Sequence, residues 1–155
     1  MNVGIDIEQF RTLVVRPTLQ EIGLHTQAAE NLLIGTALTE SRLIYLHQVG
    51  GGPAKGVFQM EPATHNDIWD NFLDYKPKLA KKIQRITDHP TSQELIHNLK
   101  YAAAMCRAHY RRKSEPLPGH TDAYAMAVYW KKHYNTPLGA GTVEKALPSF
   151  QIACE

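Results

Sequence analysis

The chain has 155 residues, 43% hydrophobic and 21% charged, with 17 Lys and Arg against 15 Asp and Glu. That length suits one domain around one core, spanning 1–155, and the composition is that of an ordinary soluble globular protein. A formal charge of +2 gives no ground for a nucleic-acid partner, though it would not repel an acidic polymer. No apolar run approaches the roughly 18 residues that a membrane-spanning helix needs, so none is expected.

The opening MNVGIDIEQF has neither the basic nor the apolar segment of a signal peptide. Asp6 is placed to cap a first helix, with Gln9 as its capping-box partner. Pro17 should split or kink that helix, and Gly23 should stop it. Thr26 caps a second helix over 27–41. Pro62 or Thr64 opens a third, with Asp67 three residues after Thr64. A short basic helix is expected over 78–86. Thr91 or Ser92 caps a long one reaching Arg112, with Leu95, Leu99, Ala102 and Cys106 along one face. The stretch 115–119 is a loop. Thr121 begins a helix through Tyr134, and Thr142 begins the last. Strand-like alternation is nearly absent, so the expected fold is mainly α.

The second helix carries an acid where an apolar residue is expected. At about 3.6 residues per turn, Ala29, Leu33, Thr36 and Glu40 fall on one side. Glu40 therefore points the way core residues point, and it sits at the helix C-terminus, where the backbone dipole disfavours negative charge. Burial and dipole both raise a carboxyl pKa. A carboxylic acid kept neutral near pH 7 is what a general acid for glycoside cleavage requires.

A glycine-rich loop follows, and then Gly56-Val57-Phe58-Gln59-Met60-Glu61-Pro62-Ala63-Thr64. Glu40-Ser41, then Gly56 sixteen positions after Glu40, then Phe58-Gln59-Met60 and Pro62-Ala63-Thr64, resemble the signature of the Slt-type lytic transglycosylases in the lysozyme-like superfamily. The resemblance implies a lysozyme-like helical domain with Glu40 as catalytic acid and base. It implies that Ser41 supports that glutamate or the sugar, and that Gln59 lines the cleft beside the scissile bond. Gly56 would allow close backbone approach, and Met60 would form a partly apolar wall under a sugar. The family also carries an Ala-Tyr-Asn in a later helix, whose tyrosine touches the glutamate. Here Ala127-Val128-Tyr129-Trp130 offers Tyr129 for that role, with Trp130 in the asparagine's place, and Ala123-Tyr124 is the other alignment.

The activity so implied is cleavage of the MurNAc–GlcNAc β-1,4 bond of peptidoglycan glycan strands, leaving 1,6-anhydro-MurNAc ends. It needs no cofactor or metal. Two other readings share these residues. One is a goose-type-like hydrolytic lysozyme, needing a second carboxylate from Glu61, Asp67 or Asp70. The other is an inactive wall-binding or virion assembly protein of the same fold. Without a leader, such an enzyme would reach the periplasm or wall in a virion or through a phage lysis system, with partners there, or as a domain of a longer exported protein. Cys106 and Cys154 fit no zinc spacing and are expected as free thiols. His47 and His65 flank the loop and could line a cleft. The basic run 107–113 reads as a solvated helix end.

Overall fold

The computed structural model describes residues 3–155. They form a mainly helical fold: α1 (Ile7–Phe10), α2 (Arg16–Glu21), α3 (Gln27–Glu40), α4 (Pro62–Asn71), α5 (Pro77–Gln84), α6 (Glu94–His97), α7 (Leu99–Arg111), α8 (Ala123–Trp130) and α9 (Val143–Ala153). Two π-helical segments, Arg11–Val15 and Lys131–Asn135, continue α1 and α8. Among the described residues the only extended pairing is two isolated antiparallel bridges, His47 to Lys55 and Lys55 to Met60. No helix there is long and apolar enough to cross a membrane.

Helix α3 is the axis of the fold. It is buried on every side from Ala29 to Ala37, as a helix surrounded by others must be. It packs against α9, and the closeness is set by Gly35. A Cβ there would lie 2.2 Å from Cδ1 of Phe150. Its polar residues find partners inside. Glu30 accepts from Arg11 at 2.9 Å, from both Arg16 Nε at 3.0 Å and Nη2 at 2.9 Å, and pairs with His25 at 2.8 Å. Arg11 also reaches the Ala153 carbonyl at 2.8 Å, tying the first helix to the last. Thr36 donates to the Leu32 carbonyl and meets the Tyr110 hydroxyl at 2.8 Å, fixing α7 against α3.

The helix starts follow local hydrogen-bond chemistry. Asp6, Thr26 and Thr142 cap α1, α3 and α9, each accepting from the backbone N–H three residues on. At Asp6 the bond comes from the Gln9 backbone, and the Gln9 side chain is not the partner. Gly23, at φ +75°, ends α2, with its own N–H on Gln20 O and that of Leu24 on Leu19 O.

Two expected helix starts are corrected, and the segment expected to split or kink at Pro17 is divided into α1 and α2 just ahead of the proline. The π-turn before it lets Arg16 bond back to Arg11, and the chain passes the proline without losing its helical path. The long helix does not begin at Thr91 or Ser92, because Asn98 interrupts it at φ −107°, ψ 93° and caps α7 by accepting from Tyr101. Pro62, one of the two expected starts, opens α4 with Glu61 at its N-cap position, whereas Asp122 rather than Thr121 caps α8. Both cysteines are free, and Cys106 is fully buried in α7.

Candidate active site

Glu40 is the last residue of α3, and the apolar packing that buries the helix ends there. Its carboxyl is partly buried and receives one hydrogen bond, from Trp130 Nε1 to Oε2 at 2.9 Å. Burial pushes its pKa up to about 7, and the indole hydrogen bond restrains the rise because it favours the ionised form. Near neutral pH the group exists in both states, as an acid that later serves as base must.

Two cavities of about 500 Å³ each meet at this carboxyl. One is mostly polar and is bordered by Gln59, Met60, Glu61, His109 and Tyr134. The other is bordered by Arg42, Trp130, Gly141 and Thr142. Glu40 and Asn135 line both. Glu40 thus borders two cavities, together called the groove, with room in each for part of an extended chain.

The loop after α3 builds one wall. Ser41 is buried, donates to the Val57 carbonyl at 2.6 Å and accepts from Leu43 N–H at 3.1 Å. It clips the end of α3 to the Gly56 loop and so supports Glu40. Its hydroxyl is consumed and does not reach the groove. Gly56 sits at φ +79°, and a Cβ would fall 2.1 Å from the Leu95 carbonyl oxygen. The close approach this glycine permits is to the chain's own α6, not to a ligand. Gln59 is held at φ +50°, a conformation costly for a residue with a side chain, and its amide donates to Gly56 O at 2.9 Å. From this turn Gln59 borders the cavity. Met60 borders the same cavity but is only 3% exposed, so it acts mainly as core beneath the floor.

The opposite wall comes from α8 and its π-helical continuation. Here the tyrosine expectation fails. Tyr129 donates to the Glu115 carbonyl at 2.9 Å, packs against Tyr110 and meets His133 edge-on, and Trp130 rather than Tyr129 bonds Glu40. Tyr124 is 60% exposed on the outer face of α8, away from the groove. The residues on the groove are Trp130, Tyr134 and Asn135. Tyr134 donates to Phe58 O at 2.6 Å, which joins the two walls. Tyr134 and Asn135, preceded by His133, therefore form a Tyr–Asn dipeptide on the groove. The π-helical segment Lys131–Asn135 carries the pair onto the groove.

His109, not His47 or His65, is the histidine of the groove. Burial, with Arg112 and Lys113 nearby, lowers its pKa to about 3, so the ring is neutral. Arg112 donates to its Nδ1 at 2.9 Å, which places the ring proton on Nε2. His65 is buried against α7, with Nε2 at 2.7 Å from the Tyr101 hydroxyl, and His47 is exposed. Arg107, in the supposed solvated run, is buried. Of the three acids considered as a second carboxylate, Asp67 is tied to Arg112 at 2.6 Å and Asp70 lies outside both cavities. Glu61 is exposed and borders the same cavity as Glu40. Among the described residues no three His, Cys, Asp or Glu gather as a metal site.

No family model matches this chain, and neither a curated protein nor a solved structure does.

Proposed function

We propose that the chain is a lysozyme-like domain that cleaves peptidoglycan glycan strands as a lytic transglycosylase, with Glu40 as acid and then base. One observation carries the reading: a partly buried carboxyl with its pKa raised to about 7 that borders two cavities. The resemblance of Glu40-Ser41 and the 56–64 stretch supplies the substrate class.

The chemistry needs one acid. Protonated Glu40 gives its proton to the oxygen bridging MurNAc and GlcNAc as that bond breaks. The muramoyl acetamido group stabilises the cationic carbon, as in glycosidases where the substrate assists. Glu40, now ionised, is held by the Trp130 N–H, and it takes the proton from the sugar's own 6-hydroxyl as that oxygen closes on the anomeric carbon. The acid is regenerated and no water is consumed. Gln59, Tyr134 and Asn135 border the strand, and Ser41 acts from behind by fixing the end of α3. The working place of such an enzyme is the periplasm or cell wall, where its substrate lies.

Hydrolysis is the second reading, and Glu61 favours it, being a free carboxylate on the same cavity that could position water. Mass spectrometry of fragments from purified peptidoglycan separates the two. Ends lighter by one water are expected. Reducing ends that keep the water would replace the lyase with a lysozyme and direct attention to Glu61. Wall binding without any cleavage would overturn both.

A further inference from the structure

We propose that Lys131 is a positioning residue for the groove, turning the Asn135 side chain so that its amide nitrogen faces Gly141, on a cavity that Glu40 also lines. The inference rests on the glycan-cleavage reading for its kinetic consequence, and on geometry alone for the positioning.

Lys131 opens the π-helical segment that ends at Asn135. Its Nζ lies 2.7 Å from Asn135 Oδ1 and 2.9 Å from the Gly139 carbonyl oxygen. An ammonium only donates, so it selects the oxygen of the amide and leaves the nitrogen elsewhere. That nitrogen points toward Gly141 on the groove, 3.1 Å from where a Cβ on Gly141 would stand. Lys131 has no carboxylate partner among the described residues. Two neutral oxygens satisfy it, so its role is not that of a surface ion pair.

The loop it holds is otherwise poorly disposed to stay in place. Thr136 sits at φ +71°, and one backbone bond, Gly139 N–H to Thr136 O at 3.1 Å, closes the turn. Gly139 folds back so tightly on Asn135 that a Cβ there would lie 2.5 Å from both of its oxygens. The second Lys131 bond pins this return. One side chain therefore fixes both the direction of the amide and the loop that presses on it. Asn135 lines both cavities that Glu40 lines, so its amide nitrogen is an N–H donor available to a ligand in the cavity of Gly141 and the acid. The ligand group it suits is an acceptor oxygen of the strand, a hydroxyl or an acetamido carbonyl.

The test is a double-mutant cycle on peptidoglycan cleavage, with Lys131→Met, Lys131→Arg, Asn135→Ala and Lys131→Met/Asn135→Ala. Lys131→Met is expected to lower kcat/KM about tenfold, the worth of one misplaced hydrogen bond, mainly in kcat. Lys131→Arg should recover most of it. In the Asn135→Ala background Lys131→Met should cost nothing further. Full activity in Lys131→Met, or losses that multiply, would overturn the proposal. If Lys131→Met does not fold, Lys131→Gln takes its place. The Asn135 side-chain NH₂ pair in a ¹H–¹⁵N spectrum gives a readout free of activity, expected to move in Lys131→Met and to stay in Lys131→Arg. A wild type that cleaves nothing would remove the glycan reading alone. An Asn135 pair unmoved by Lys131→Met would remove the positioning itself.

Discussion

Replacing Glu40 with Gln is expected to stabilise the protein above neutral pH and to leave it unchanged in acid. The folded carboxyl has a pKa of about 7 against 4.5 for an unperturbed glutamate. Below 4.5 both folded and unfolded chains carry the proton, and Glu40 costs nothing. Between 4.5 and 7 the unfolded chain releases its proton first, so stability falls as pH rises. Above 7 the buried carboxylate bears the full cost, a difference of 7 − 4.5 = 2.5 pH units, or up to about 3 kcal/mol. Gln has the same shape, carries no charge, and keeps an oxygen for the Trp130 N–H. Urea unfolding of both proteins at pH 4 and pH 8 measures the effect. Equal free energies at pH 4, with the variant more stable by about 2–3 kcal/mol at pH 8, are predicted. A gap that does not change with pH, or a less stable variant at pH 8, would refute the reasoning. The same substitution should abolish cleavage, so stability gained and activity lost would trace to one buried acid.

Trp130→Phe removes the hydrogen bond that favours ionised Glu40, so the Glu40 pKa should rise by about one further unit. A ¹³C titration of the Glu40 carboxyl checks this, and a pKa that stays or falls would contradict it. Gly56→Ala combines φ +79° with a Cβ at 2.1 Å from the Leu95 oxygen, and should lose at least about 2 kcal/mol in denaturant unfolding. An unchanged midpoint would show that the loop relaxes freely. Burial would raise the Glu30 pKa, but hydrogen bonds from Arg16, Arg11 and His25 outweigh it and bring it down to about 2. That stability is present above 4.5 and lost as pH falls toward 2. Glu30→Gln should cost about 3–5 kcal/mol at pH 7 and flatten the acid limb of unfolding. A variant as acid-sensitive as the wild type would assign the limb to other groups.

What could be read from the sequence depended on how local the cause was. The caps at Asp6, Thr26 and Thr142 and the stop at Gly23 are short-range hydrogen bonds and a backbone preference, and all appear where expected. The placement of Glu40 followed from the 3.6-residue period of α3, which is regular throughout. The break at Asn98 was hidden because Leu95 and Leu99 keep the same apolar spacing across it, and both pack against the core. The far wall was misread for a different reason. No sequence pattern marks a π-turn, and an α-helix drawn through 123–134 gives no ground for preferring Tyr134 over Tyr129. Only the fold decides that Tyr129 reaches Glu115 while Trp130 reaches Glu40. Ser41 and Gly56 were found by motif, yet their partners are Val57 and Leu95, contacts that separate loop architecture from ligand binding.

The most direct test compares wild type with Glu40→Gln on the same purified peptidoglycan at neutral pH, following soluble fragments by mass spectrometry. Wild type should release fragments with 1,6-anhydro ends, and the folded variant should release at least about a hundredfold less. Comparable release by the two proteins would contradict Glu40 as the acid. No release by either would contradict glycan cleavage by this groove.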